Sequence, residues 1–191
     1  VEVMRALKSI AADFKGLAGT APLEKRAKEL AASREVRDAL KAERALESKE
    51  EALIETLVAA AIEGRAASAQ KTIAELQAKA KGADAAARVM ATRVLQGVSS
   101  SCGEMAREAF RQGDYEQASS VLELAVLLRP EAAQSHFELA RARANLGDRK
   151  GTLAALGRAI TEGFADTLRL DQEPAFRRWK NDPAFAALVG W

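Results

Sequence analysis

Apolar residues recur every three or four positions through most of the chain, and glycine, proline and capping residues divide the recurrence into blocks. Val3, Leu7, Ile10, Ala11 and Phe14 share one face and predict a first helix over about residues 2–17, with Gly16 and Gly19 loosening its end. Thr20 is placed to cap a second helix that tolerates Pro22 in its first turn. Leu23, Ala27, Leu30 and Ala31 give that helix one apolar face, so the two helices can form a hairpin. Ser33 marks a break. Residues 34–63 then read as one long helical stretch in two halves. The first half is highly charged, with a thin apolar line of Val36 and Leu40, extended by Ala39 and Leu46. The second half is apolar nearly all round, which predicts burial. Ser48 followed by Glu51 has capping-box spacing and leaves open a restart near residue 48.

Gly64 punctuates the chain, and residues 66–80 form an amphipathic helix with Ala69, Ile73, Leu76 and Ala80 inward. Gly82 is a C-cap candidate and Asp84 an N-cap for the next helix. From Asp84 the spacing Val94, Val98, Cys102, Met105, Ala109 carries one helix through Gly97 and Gly103. Those glycines cost stability unless a neighbouring helix packs against them. A continuous helix here would be the strut that joins the N-terminal helices to the rest.

The strongest regularity lies at residues 99–164. Gly113-Asp114 recurs as Gly147-Asp148, 34 positions later, and Met105-Ala106 recurs in register as Leu139-Ala140. Ala118, Leu122 and Ala125 match Thr152, Leu156 and Ala159. In each copy the glycine suits the end of a helix, and the aspartate can bond the free amides that open the next one. Pro130 closes the first copy. A fixed period of this length, with two helical patterns per copy, is the signature of a helical repeat array.

These residues resemble the tetratricopeptide repeat (TPR) family over residues 99–164, through the large-small pairs, both Gly-Asp turns, the small residue five positions after each Gly, and Pro130. Departures are Cys102 and His136, where the family often has Trp, and Phe164 where Pro would close the second copy. The resemblance implies an all-α fold: antiparallel helix hairpins in a right-handed superhelix. The expected organisation is N-terminal helices at 1–82, repeats with their connecting helix at 83–164, and capping helices at 165–191. Residues 1–82 read equally as diverged repeats or as an unrelated bundle. The last segment repeats Pro174-Ala175-Phe176 as Pro183-Ala184-Phe185, and Asp182-Pro183 makes a good helix start. It is similar to tails that end TPR domains in bacterial proteins, often exported ones, which favours a periplasmic or secreted setting. Phe176, Trp179, Phe185, Leu188 and Trp191 would cover the open end of the array.

Composition changes little in this picture. Good helix formers dominate, with four prolines, and no alternating strand pattern occurs. A net charge of +2 from 29 basic and 27 acidic residues provides no field to gather nucleic acid or a membrane surface. No apolar run reaches the roughly 20 residues of a membrane span. The single Cys102 excludes an internal disulfide and a cysteine metal site. The helical pattern begins already under way at Val3, the expectation for a piece of something longer.

Candidate chemistry is sparse, and neither a catalytic residue, a metal site nor a cofactor is predicted. His136, the only histidine, sits where an aromatic ring would pack on the next helix, and Cys102 holds the equivalent place. No phosphate-binding glycine pattern occurs. The resemblance implies a groove lined by the first helix of each copy. Copy one would contribute Arg107, Phe110 and Arg111 besides Ser100 and Gly103. Copy two would contribute Gln134, Phe137, Arg141 and Asn145 besides Ala144. Arg107 and Arg141 correspond and should stack along it. Guanidinium groups beside phenyl rings suit an acidic, partly apolar peptide. The competing reading is that these arginines are solvated or paired with Glu104, Glu108 or Glu138. The function expected is a non-catalytic protein-interaction scaffold, and the alternative is an accessory domain of a larger bacterial enzyme, a hydrolase or thioredoxin-like protein.

Overall fold

The computed structural model describes residues 1–15 and 20–190, and every regular element among them is helical. Contacts divide the chain into two compact units, Val1–Glu51 and Ala52–Trp191.

In the first unit α1 (Glu2–Asp13) packs on α2 (Thr20–Ala32). Helix α1 ends earlier than its apolar pattern predicts, at the cap residue Phe14, while Gly16 and Gly19 lie outside the described residues. Thr20 is already the first helical residue of α2. The buried face of α1 is also rotated from the expected stripe. Met4 and Ala11 are buried, whereas Val3, Ile10 and Phe14 are exposed. Ala11 and Ala27 are the small side chains buried where α1 and α2 pack together. Ser33 is the break, its Oγ accepting from the Val36 amide at 3.2 Å. Helix α3 (Arg34–Ile62) then runs through Ser48 without a restart. Ala39 and Leu46 do not join the apolar line but are exposed.

In the second unit the end of α3 buries Leu57, Ala60 and Ala61 on one face only, and Ile62 is half exposed. The expectation of burial all round is corrected accordingly. Gly64 (φ +68°) turns the chain, a 3-10 turn covers Ala66–Ala69, and α4 (Gln70–Ala80) carries Ile73 and Leu76 inward. The C-cap of α4 is Lys81 rather than Gly82. Asp84 caps α5 (Ala85–Gln112) by accepting from the amides of Ala86 and Ala87. Helix α5 is unbroken through both glycines. A Cβ on Gly97 would come within 2.7 Å of Ile54 Cδ1, so a neighbouring helix does lean on the gap.

Two hairpins follow, α5 with α6 (Tyr115–Leu128) and α7 (Ala133–Leu146) with α8 (Arg149–Thr161). Their turns are built alike. Gly113 and Gly147 are left-handed at φ +74° and +78°, a conformation that a Cβ disfavours. Asp114 and Asp148 each accept from the amide three residues on, at 2.9 Å. One continuous core joins the helices through Val94, Val98, Leu122, Leu124, Phe137 and Leu156. At its far end α9 (Thr167–Gln172), a 3-10 turn at Pro174–Trp179 and α10 (Pro183–Val189) close the stack. Phe176 and Phe185 are fully buried, with ring centres 5.5 Å apart, so the two Pro-Ala-Phe segments meet in space. Burying two phenyl rings contributes roughly 2–3 kcal/mol each. Trp191 lies outside the described residues.

Candidate functional site

Helices α5 and α7 project side chains into an open cavity of about 690 Å³ lined by Glu104, Arg107, Phe110, Arg111 and Arg141. Four of the seven predicted groove residues therefore share one surface. Phe110 is half-buried, edge-on to Tyr115 at 6.2 Å between ring centres. The Arg141 guanidinium lies over its other side, 3.7 Å from the ring centre. The arginines differ in their partners. Arg111 is paired with Glu108. Arg141 is paired with Glu138 at 3.1 Å and reaches Glu173 at 3.8 Å. Arg107 is exposed and makes no ion pair among the described residues.

The remaining three residues do not line this cavity. Phe137 is fully buried, stacked on Phe164 at 4.2 Å and edge-on to Phe176 at 5.8 Å, so it offers no face to a ligand. Its expected place in the groove is corrected, because the C-terminal segment covers it. Gln134 donates to Glu138 at 2.7 Å and accepts from Arg169. Asn145 donates to the Arg141 carbonyl at 2.9 Å. Arg107 and Arg141 thus correspond in sequence but not in role.

Arg169 and Glu173 were not predicted to belong here, whereas Glu138 was named as a partner for the arginines. Arg169 pairs with Glu138 at 2.6 Å and lies over the Phe137 ring. Arg169 and Glu173 stand outside the repeated region, so no register could have found them. Glu138 carried a signal, since it precedes the Leu139-Ala140 pair on the groove helix.

The reactive side chains are occupied or suppressed. Cys102 is fully buried, and burial pushes its thiol up to about 11. The His136 Nε2 donates to the Pro130 carbonyl at 2.8 Å and so tethers the loop before α7. No hydrogen bond joins these two residues among the described ones. No group of three or more His, Cys, Asp or Glu among the described residues could hold a metal ion, and no helix there is long and apolar enough to cross a membrane. No family model matches the chain, and no match was found among curated proteins or solved structures.

Proposed function

We propose that the chain is a non-catalytic scaffold of tetratricopeptide type, a right-handed array of helix hairpins that binds an acidic, partly apolar peptide segment. The repeat reading is supported by the two matching Gly-Asp turns, each with a left-handed glycine and a capping aspartate. The observation that carries the binding reading is Arg107, an exposed guanidinium without an ion pair among the described residues, beside the half-buried Phe110. A carboxylate there could take two parallel hydrogen bonds while an apolar side chain covers the ring.

Selection of random displayed peptides on the immobilised chain tests this. Recovered sequences should be rich in Asp or Glu next to aliphatic or aromatic residues. Arg107→Glu should weaken them at least about tenfold, the worth of one lost charged hydrogen bond, with the thermal midpoint unchanged. Peptides without acids, or peptides indifferent to that variant, overturn the reading.

A second reading, an accessory domain attached to a catalytic one, is favoured by Val3, Ile10 and Phe14, apolar and exposed along one side of α1. Immunodetection of the native gene product decides between them. A band near 20.4 kDa supports a free-standing adaptor, and a much larger one supports the accessory domain.

A further inference from the structure

Along α5, N-terminal to Phe110, a second cavity of about 630 Å³ opens between the ends of α4 and α6. Arg107 lines both cavities, so the two adjoin at one side chain. Their linings differ. Arg111 and Arg141 in the first are matched by carboxylates; the second is lined by Arg107 and by Arg129, which pairs with Glu131, and no Asp or Glu is part of its lining. The side chains of Gln96, Ser99 and Ser100 face it and have no hydrogen-bond partner among the described residues. Gly103 leaves its floor bare: a Cβ there would meet only the tip of Arg107, at 3.8 Å. Ala80, Leu95 and Leu128 form an apolar wall. Unused donors, a cation shared with the neighbouring cavity and no acid define a surface for an anionic segment with an aliphatic end. They do not suit a basic ligand.

Resting on the peptide reading proposed for Arg107 and Phe110, we infer that the binding track does not stop at the repeated region but continues along α5 to Thr92. It takes one extended segment with its acidic part at Arg107 and its aliphatic part against Ala80, Leu95 and Leu128. Thr92 to Phe110 spans about 27 Å of helix, which an extended chain covers in about eight residues. The bare backbone at Gly103 lets the ligand main chain lie close and use the serine hydroxyls.

Fluorescence polarisation with labelled synthetic peptides tests the track. The probes are a peptide of about eight residues, acidic at one end and Leu/Ala-rich at the other, made in both chain polarities, and its acidic half alone. One polarity of the long probe should bind at least about tenfold tighter than the acidic half. Gly103→Leu fills the floor and should remove that advantage, read as the ratio of the two probes because the new side chain lies beside the tip of Arg107. The folded state should persist, since leucine favours a helix interior over glycine. Ser100→Glu, an exposed position, should act in the same direction by placing an acid in the cavity. A long probe no tighter than its half, or an advantage that survives both variants, overturns the extended track and leaves the peptide reading standing. A long probe that binds and is sensitive to Gly103→Leu, with no binding of the acidic half and no effect of Arg107→Glu, would locate binding at the aliphatic wall alone and overturn both the acidic anchor at Arg107 and the groove at Phe110.

Discussion

The guanidinium carbon of Arg141 lies 3.7 Å from the centre of the Phe110 ring, and this contact ties the second hairpin to the first. The same side chain reaches Glu138 on its own helix and Glu173 in the C-terminal segment. It is 23% exposed, so water screens these contacts only in part. Arg141→Ala should therefore cost about 1–2 kcal/mol, from the lost ring contact and the partly buried pairing. Arg107→Ala, at the corresponding position, should stay within about 0.5 kcal/mol of the parent. Urea unfolding of the two variants measures the difference. Equal effects would mean that the two arginines share one environment after all.

That contrast also shows how far the sequence could be read. The Gly-Asp turns were legible because their physics is local: a left-handed φ at one residue and a capping carboxylate at the next. The continuity of α5 was legible because its apolar spacing crosses Gly97 and Gly103 without a change of phase. Phe137 was assigned to the groove by register, but its environment is set by Phe164, which stands where the register has Pro130, and by Phe176, which lies beyond the repeats. Val3, Ile10 and Phe14 have helical spacing, yet they are exposed while Met4 and, of the expected stripe, Ala11 are buried. Periodicity identifies a helix. It does not choose between two adjacent apolar stripes.

Asp182 caps α10 and accepts from Arg149 at 2.5 and 2.8 Å. The Arg149 hydrogen bond is the main cause that holds its carboxyl down at about 2, helped by the amides of Phe185 and Ala184 and opposed by desolvation. A carboxyl with a lowered folded-state value stabilises the fold above its unfolded value of about 4. That contribution is lost as pH falls from there through about 2. A carboxyl-carbon NMR titration should find the Asp182 midpoint near 2, moving up towards the ordinary range in Arg149→Gln. A parent midpoint near 4 would mean that the pair does not form in solution.

Cys102 gives a probe of core opening. With its thiol raised to about 11, only about one molecule in a thousand carries the thiolate at pH 8 while the core is closed. A disulfide reagent should label the native chain at least about a hundredfold more slowly than the denatured chain. The native rate should rise in Arg141→Ala if the hairpins open together. Rapid native labelling would show that the inner face of α5 is accessible.

Gly97 and Gly103 interrupt the same helix, yet their substitutions should go opposite ways. At Gly103 an added Cβ meets nothing closer than 3.8 Å, so Gly103→Ala should gain the helix preference of alanine, about 1 kcal/mol. At Gly97 the new atom comes within 2.7 Å of Ile54 Cδ1 and 3.4 Å of its Cγ1. The isoleucine must leave its seat, and the packing lost by moving it offsets or exceeds the gain, so Gly97→Ala should be neutral or cost about 1 kcal/mol. Ile54→Val removes the obstructing methyl. In that background Gly97→Ala should recover about 1 kcal/mol, as at Gly103. A double-mutant cycle by urea unfolding should return a coupling of about 1–2 kcal/mol between residues 54 and 97. A coupling near zero would place Ile54 away from Gly97 and leave the glycine without a packing reason inside α5.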